Sequence, residues 1–122
     1  MNAYAAASRG YKEQAVLTAS PGKLVVMLYD GALRFLMQSS NALRNDDYPR
    51  GAERMSRAEA IVDELVSTLD MSQGEVSERL ESLYFFFKQT LMEARRERSP
   101  EKVDQVATLV RELRDAWAQI AV

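Results

Sequence analysis

The side chains able to do chemistry in this sequence form a reduced set. Cys and His are both absent, which removes thiolate nucleophiles, zinc–thiolate sites, the commonest general base and the commonest metal ligand together. Triads built on an imidazole go with them. What remains is carboxylate chemistry, which needs acidic residues grouped in apolar surroundings that raise a pKa. None of the 18 Asp and Glu residues is grouped in that way. The five glycines are scattered singly, so no phosphate-cradling loop is present. The one basic cluster, Arg95-Arg96-Glu97-Arg98, falls where a helix is expected to end, and cations suit that end of the helix dipole. With 16 basic residues and a net charge of −2, the chain shows no basic stripe for nucleic acid. These residues predict a binding protein without enzymatic activity, cofactor or metal.

Binding chemistry here means apolar contact. In TASPGKLVVMLYDG, residues 18–31, Ser20 and Pro21 open a helix, the first as cap and the second at the position where proline loses no hydrogen bond. Leu24 to Tyr29 is then apolar on every side, and Gly31 interrupts it. A helical wheel gives this segment a core face of Leu24, Leu28, Gly31, Ala32 and Phe35. It places Val26, Leu33 and Met37 on the opposite side, with Tyr29 and Leu36 between the two sets. Two readings fit: a central rod covered on a wide arc, or a second face that holds a partner. Gly31 costs up to about 1 kcal/mol relative to alanine, and close approach of a neighbouring helix or of a docked segment would offset it. Further on, Phe85 points away from the face of Leu80, Leu83, Phe87 and Leu91, with Met92 nearby on the same side. Phe86 reads either as a flank of the core or as part of that outer patch. Large exposed apolar groups and Met suit a helix-in-groove interface.

Four helices position these groups. Proline at 21, 49 and 100 and Gly74 punctuate the chain, and the apolar period between them is helical rather than alternating. The helices are expected over about 20–44, 48–70, 73–97 and 100–121. Asp46 or Asp47 caps the second, Ser72 and Glu75 have capping-box spacing for the third, and Ser99-Pro100-Glu101 opens the fourth. Core faces follow by counting. The second helix offers Ala52, Met55, Ala58, Val62, Leu65, Val66 and Leu69. The third offers Val76, Leu80, Leu83, Tyr84, Phe87, Leu91 and Ala94, and the fourth Val103, Val106, Ala107, Val110, Leu113, Trp117 and Ile120. Rods about 35 Å long joined by short turns predict an all-α, antiparallel up-down-up-down four-helix bundle over 20–122. Ferritin-like metal bundles share that outline but need histidines that this chain lacks. Residues 1–19 are left as an N-terminal strap. The longest apolar run, 24–29, is far below the ~20 residues of a membrane span. The first residues lack the layout of a secretory signal, so a cytoplasmic location is expected.

These motifs resemble the FliS family of flagellar secretion chaperones. The family pattern of a tyrosine, then Val-x-Thr-Ala-Ser/Thr-Pro, then an apolar stretch ending Leu-Tyr-Asp-Gly is met by Tyr11, Val16, Thr18 to Pro21 and Leu28 to Gly31. Ala58 to Leu65, Leu83 to Phe87 and Leu113 to Trp117 match three further family segments. Phe85 stands where the family usually has Asp, Phe86 where it often has Tyr, and Arg95 where Asn is common, which makes the surface of the third helix more apolar.

The resemblance implies a helical bundle that binds the C-terminal segment of flagellin in the cytoplasm, blocks premature polymerisation and delivers it to the flagellar type III export apparatus. An export-gate component is then a further partner. Together with the wheels it gives Tyr11, Val16, Val26, Tyr29, Leu33, Met37, Phe85, Phe86 and Met92 as expected partner-binding residues. The free protein is expected to be a monomer. The alternative is a structural bundle that self-associates as a homodimer through the same surplus stripe, without a flagellin client.

Overall fold

The computed structural model describes residues 21–120. They form α1 (Pro21–Arg44), α2 (Tyr48–Ser67), a 3-10 turn (Met71–Gln73), α3 (Glu75–Glu97) and α4 (Pro100–Ile120). Local chemistry sets the breaks. Asp47 caps α2, its carboxylate accepting from the Arg50 amide at 3.2 Å, while Asp46 turns the chain with φ 60°. The Ser99 hydroxyl accepts from the Lys102 amide at 3.2 Å and opens α4. At the end of α3, Arg98 takes the left-handed conformation that glycine usually supplies, and the Ser99 amide closes back on Ala94 O at 3.0 Å.

The expected capping box does not form. α2 stops at Ser67, short of 70, and Asp70 instead holds the 3-10 turn, accepting from the Ser72 amide at 3.0 Å and the Ser72 hydroxyl at 2.5 Å. With Ser72 so engaged, Gly74 caps α3 at φ 69°, ψ −128° with no side-chain bond. Asp70 is the stronger competitor because its carboxylate holds the serine by two hydrogen bonds.

Side-chain pairs fix the helix directions. Gly31 faces Ile61, and the Ser39 hydroxyl donates to Gly51 O at 2.7 Å, so α1 and α2 are antiparallel. Asp30 pairs with Arg114 at 2.8 Å and Arg44 with Asp104 at 2.7 Å, which does the same for α1 and α4. Lys88 with Asp63 and Arg95 with Glu59 align α2 and α3, and Lys102 bridges α4 to Glu93 and Glu97. The result is the antiparallel four-helix bundle, with α1 and α3 on a diagonal. α1 lies close against both α2 and α4, and α3 stands further off. Size explains the difference. Gly31, Ala32, Ser39, Ser40 and Ala42 on α1 permit near contact, whereas α3 turns Tyr84, Phe87 and Leu91 inward.

The core is Tyr29, Ala32, Leu36 and Leu43 of α1 with Met55, Ala58, Val62, Leu65, Phe87, Leu91, Ala94, Val103, Val106 and Val110. Each large side chain fully buried there contributes about 1.5–3 kcal/mol over leaving it exposed. Val76 and Ile120, expected inside, are exposed. Both sit on end turns, where the described helices run out of neighbours. The α1 face is also rotated from expectation: Leu24, Leu28, Gly31 and Phe35 are half-buried, and Tyr29 and Leu36 take the centre.

Candidate client-binding surface

α3 presents the largest apolar groups to solvent. Its inward residues Tyr84, Phe87, Leu91 and Ala94 recur at three and four, so the helix turns Phe85 and Met92 outward, 52% and 64% exposed. Phe86 lies on the flank at 40% exposure, its ring 6.5 Å from that of Phe87. Both readings of Phe86 therefore hold in part: it touches the core and extends the outer patch.

On α1 the structure reorders the expected set. Leu33 is only 9% exposed and belongs to the core cluster, a correction to its place on a second face. A helical wheel assumes one core direction, but α1 is flanked on two sides, and α4 runs along the side where Leu33 sits, through Asp30–Arg114 and Ser40–Asp104. Tyr29 is likewise corrected to the interior, fully buried with its hydroxyl 2.6 Å from that of Tyr84. A helix apolar all round is thus accounted for largely by two close neighbours. Val26 is half-buried, and Met37, 54% exposed, stands on a strip with Asp30, Arg34, Asn41 and Arg44. Because α1 and α3 are diagonal, Met37 and the Phe85–Met92 patch face different sides of the bundle and do not merge into one groove. Tyr11 and Val16 lie outside the described residues.

The close approach expected at Gly31 is present: a methyl there would stand 3.1 Å from Ile61 Cδ1. A tighter one lies at Gly51, which helical spacing alone does not reveal. A methyl on Gly51 would meet Leu43 Cδ2 at 2.7 Å, so α1 and α2 cross on bare backbone at that point.

A cavity of about 410 Å³ opens at the end of the bundle where α2 stops early, between Leu69, Val76, Leu80, Tyr84, Val25 and Trp117. Sequence counting assigned most of these to the core. The signal that could have exposed the gap is Asp70 followed by Gly74, which ends one helix and delays the next. Burial pushes the hydroxyl pKa of Tyr84 up, and burial together with the Tyr84 hydrogen bond pushes that of Tyr29 well above the ordinary tyrosine range. Tyr84 on the cavity wall is therefore neutral across physiological pH, its hydroxyl paired with that of the buried Tyr29. Among the described residues no group of acidic side chains is set to hold a metal ion, and no helix is long and apolar enough to cross a membrane.

The arrangement is one for apolar docking. The family model described as "Flagellar protein FliS" matches residues 2–122. The chain is similar to the flagellar secretion chaperone FliS of Bacillus subtilis (strain 168), 34% identical over 109 residues that cover 89% of this chain and 81% of that one. It is 35% identical over 103 residues to the FliS chaperone of Vibrio cholerae, covering 84% and 76% of the two chains. With the Campylobacter jejuni chaperone of the same name it shares 34% identity over 115 residues, 93% and 90% of the two. Matched along nearly its whole length and folded as a helical bundle with outward apolar groups, the chain belongs to the FliS family of flagellar proteins.

Proposed function

We propose that this chain is a cytoplasmic export chaperone that binds the C-terminal segment of flagellin, keeps it from polymerising and delivers it to the flagellar type III export apparatus. Its family match over residues 2–122 carries this reading. The role of export chaperone is that of the family, and the outward apolar groups support an amphipathic client such as the C-terminal segment of flagellin.

An amphipathic segment that folds on binding needs broad apolar contact to offset its ordering entropy. Phe85, Phe86 and Met92 on α3 supply one such surface, with Val26 and Met37 as the second contact region on α1. A single straight helix cannot lie on both, since α1 and α3 are diagonal. A client that uses both must wrap the bundle, which a disordered segment can do. Release to the export apparatus favours many modest apolar contacts over a few buried ion pairs. Residues 1–19 act as a strap that covers part of this surface in the free protein, anchored by Tyr11 and Val16.

The test is co-purification with flagellin and with flagellin truncated at its C-terminal segment. Retention of the first and loss of the second is expected; equal retention would reject the assigned segment. Sedimentation at several concentrations separates the alternative, because a self-associating bundle forms a ligand-free dimer that dissociates on dilution. Amides at 11–18 should show hydrogen-exchange protection that changes when client is added, and full exchange in both states would reject the strap.

A further inference from the structure

A second cavity, of about 440 Å³, lies at the opposite end of the bundle, where the start of α2 meets the end of α3. Its size is within the ~300–1,000 Å³ of small-ligand sites. Leu43, Pro49, Ala52 and Met55 make an apolar floor. Arg98 stands at its mouth with the guanidinium 4.3 Å above the Tyr48 ring, and the Tyr48 hydroxyl is in turn held by Asp46 at 3.0 Å. Arg95, also on the wall, is occupied by Glu59 and by Ser56. Arg98 has no carboxylate partner among the described residues. It also holds a left-handed backbone, φ 55° and ψ 44°, at a helix end where glycine would be easier. The helix thus carries a long cationic side chain at a costly position, fixes it on an aromatic ring and leaves it without a direct ion pair beside an apolar cavity.

We infer that this cavity takes the C-terminal end of a peptide, an apolar last residue seated on Pro49 and Ala52, above the buried Leu43 and Met55, with its α-carboxylate on Arg98. The cavity's apolar floor fits the side chain, and the planar guanidinium fits a carboxylate with paired hydrogen bonds. A chain end fits better than a segment passing through, because the wall has little for extra peptide groups to bond. Pro49 has no amide hydrogen, and the Arg50 and Gly51 amides are both used by Asp47, at 3.2 and 2.9 Å. The N-terminus of α2 and the C-terminus of α3 meet here, so their dipoles offset, and the charges at the mouth are Arg98 on the face of Tyr48 and Asp46 at its hydroxyl. This site is separate from the outer face of α3 and stands or falls apart from it.

The test uses the full chain, with Met55 methyl shifts followed by NMR during titration of three N-acetylated hexapeptides. One ends in Leu-Leu with a free carboxylate, the second is its C-terminal amide, and the third is an amide with Asp inside the sequence. The free acid is expected to shift Met55, with the two amides roughly tenfold weaker or more. Arg98→Gly should weaken the free acid by a similar factor while melting close to the parent, because glycine relaxes the left-handed turn. Equal binding of either amide, unchanged binding by Arg98→Gly, or no Met55 response to the free acid at millimolar peptide would each overturn the inference.

Discussion

Phe85→Asp separates binding from folding. Phe85 is 52% exposed, so about half of its side chain is still available to be covered by a client. Full burial of a phenylalanine is worth about 1.5–3 kcal/mol, which leaves roughly 1–1.5 kcal/mol to be gained on binding. Aspartate forfeits that and adds the desolvation of an unpaired carboxylate, about 1–3 kcal/mol at a protein interface. The sum predicts a loss of some 2–4 kcal/mol, a weakening of about 30-fold to 1,000-fold. The fold loses at most the buried half of Phe85, about 1 kcal/mol, or roughly 4–8 °C in melting temperature. Calorimetric titration with the C-terminal segment of flagellin reads the first quantity, and far-UV melting reads the second. Leu33→Asp is the matched contrast. At 9% exposure within the core cluster, it places a charge among α1 and α4 side chains and should unfold the bundle or lower its melting far more than Phe85→Asp does. A Phe85→Asp protein that binds like the parent would refute the assignment of the α3 face, and a Leu33→Asp protein that melts like the parent would refute the placement of Leu33.

Other perturbations probe the frame around that surface. Gly51→Ala drives a methyl to within 2.7 Å of Leu43 Cδ2, so thermal melting should show a destabilisation of about 1–3 kcal/mol, and a variant as stable as the parent would mean that Leu43 yields freely. Tyr84→Phe removes one partner of the buried pair with Tyr29 and should cost about 1–3 kcal/mol by denaturant titration, and a neutral result would show that Tyr29 finds another partner. Acid should weaken the fold in a defined way. Burial alone would raise the Asp104 carboxyl, but hydrogen bonds from Arg44 and Ser40 outweigh it and hold the group below its ordinary 3.8; Ser72 and Gln73 do the same for Asp70. Carboxyls depressed in the folded state add stability that is complete above pH 3.8 and is lost as pH falls through their folded values. Melting followed from pH 6 down to 2 should therefore drop less steeply for Asp104→Asn than for the parent, and parallel profiles would remove Asp104 from the account.

The elements were legible in the sequence because their causes are local. Pro49, Pro100 and the caps Asp47 and Ser99 act within a few residues of themselves, and the three-and-four spacing of Tyr84, Phe87, Leu91 and Ala94 fixes which side of α3 is buried. The family motif around Leu28 to Gly31 and the exclusion of imidazole and thiol chemistry were equally readable, since both are statements about residue types. Tertiary structure alone decided the rest. A wheel assigns one core direction per helix, whereas α1 has close neighbours on two sides, so Leu33 and Tyr29 moved from the expected contact set to the interior. Competition also escaped the pattern: Ser72 had the spacing of a cap, but Asp70 held it by two hydrogen bonds and left Gly74 to start α3. The bare-backbone crossing at Gly51 and the cavity at Arg98 exist only where residues far apart in the chain meet. Spacing along one helix carries the angle of a side chain about its own axis, and burial depends as well on what stands opposite.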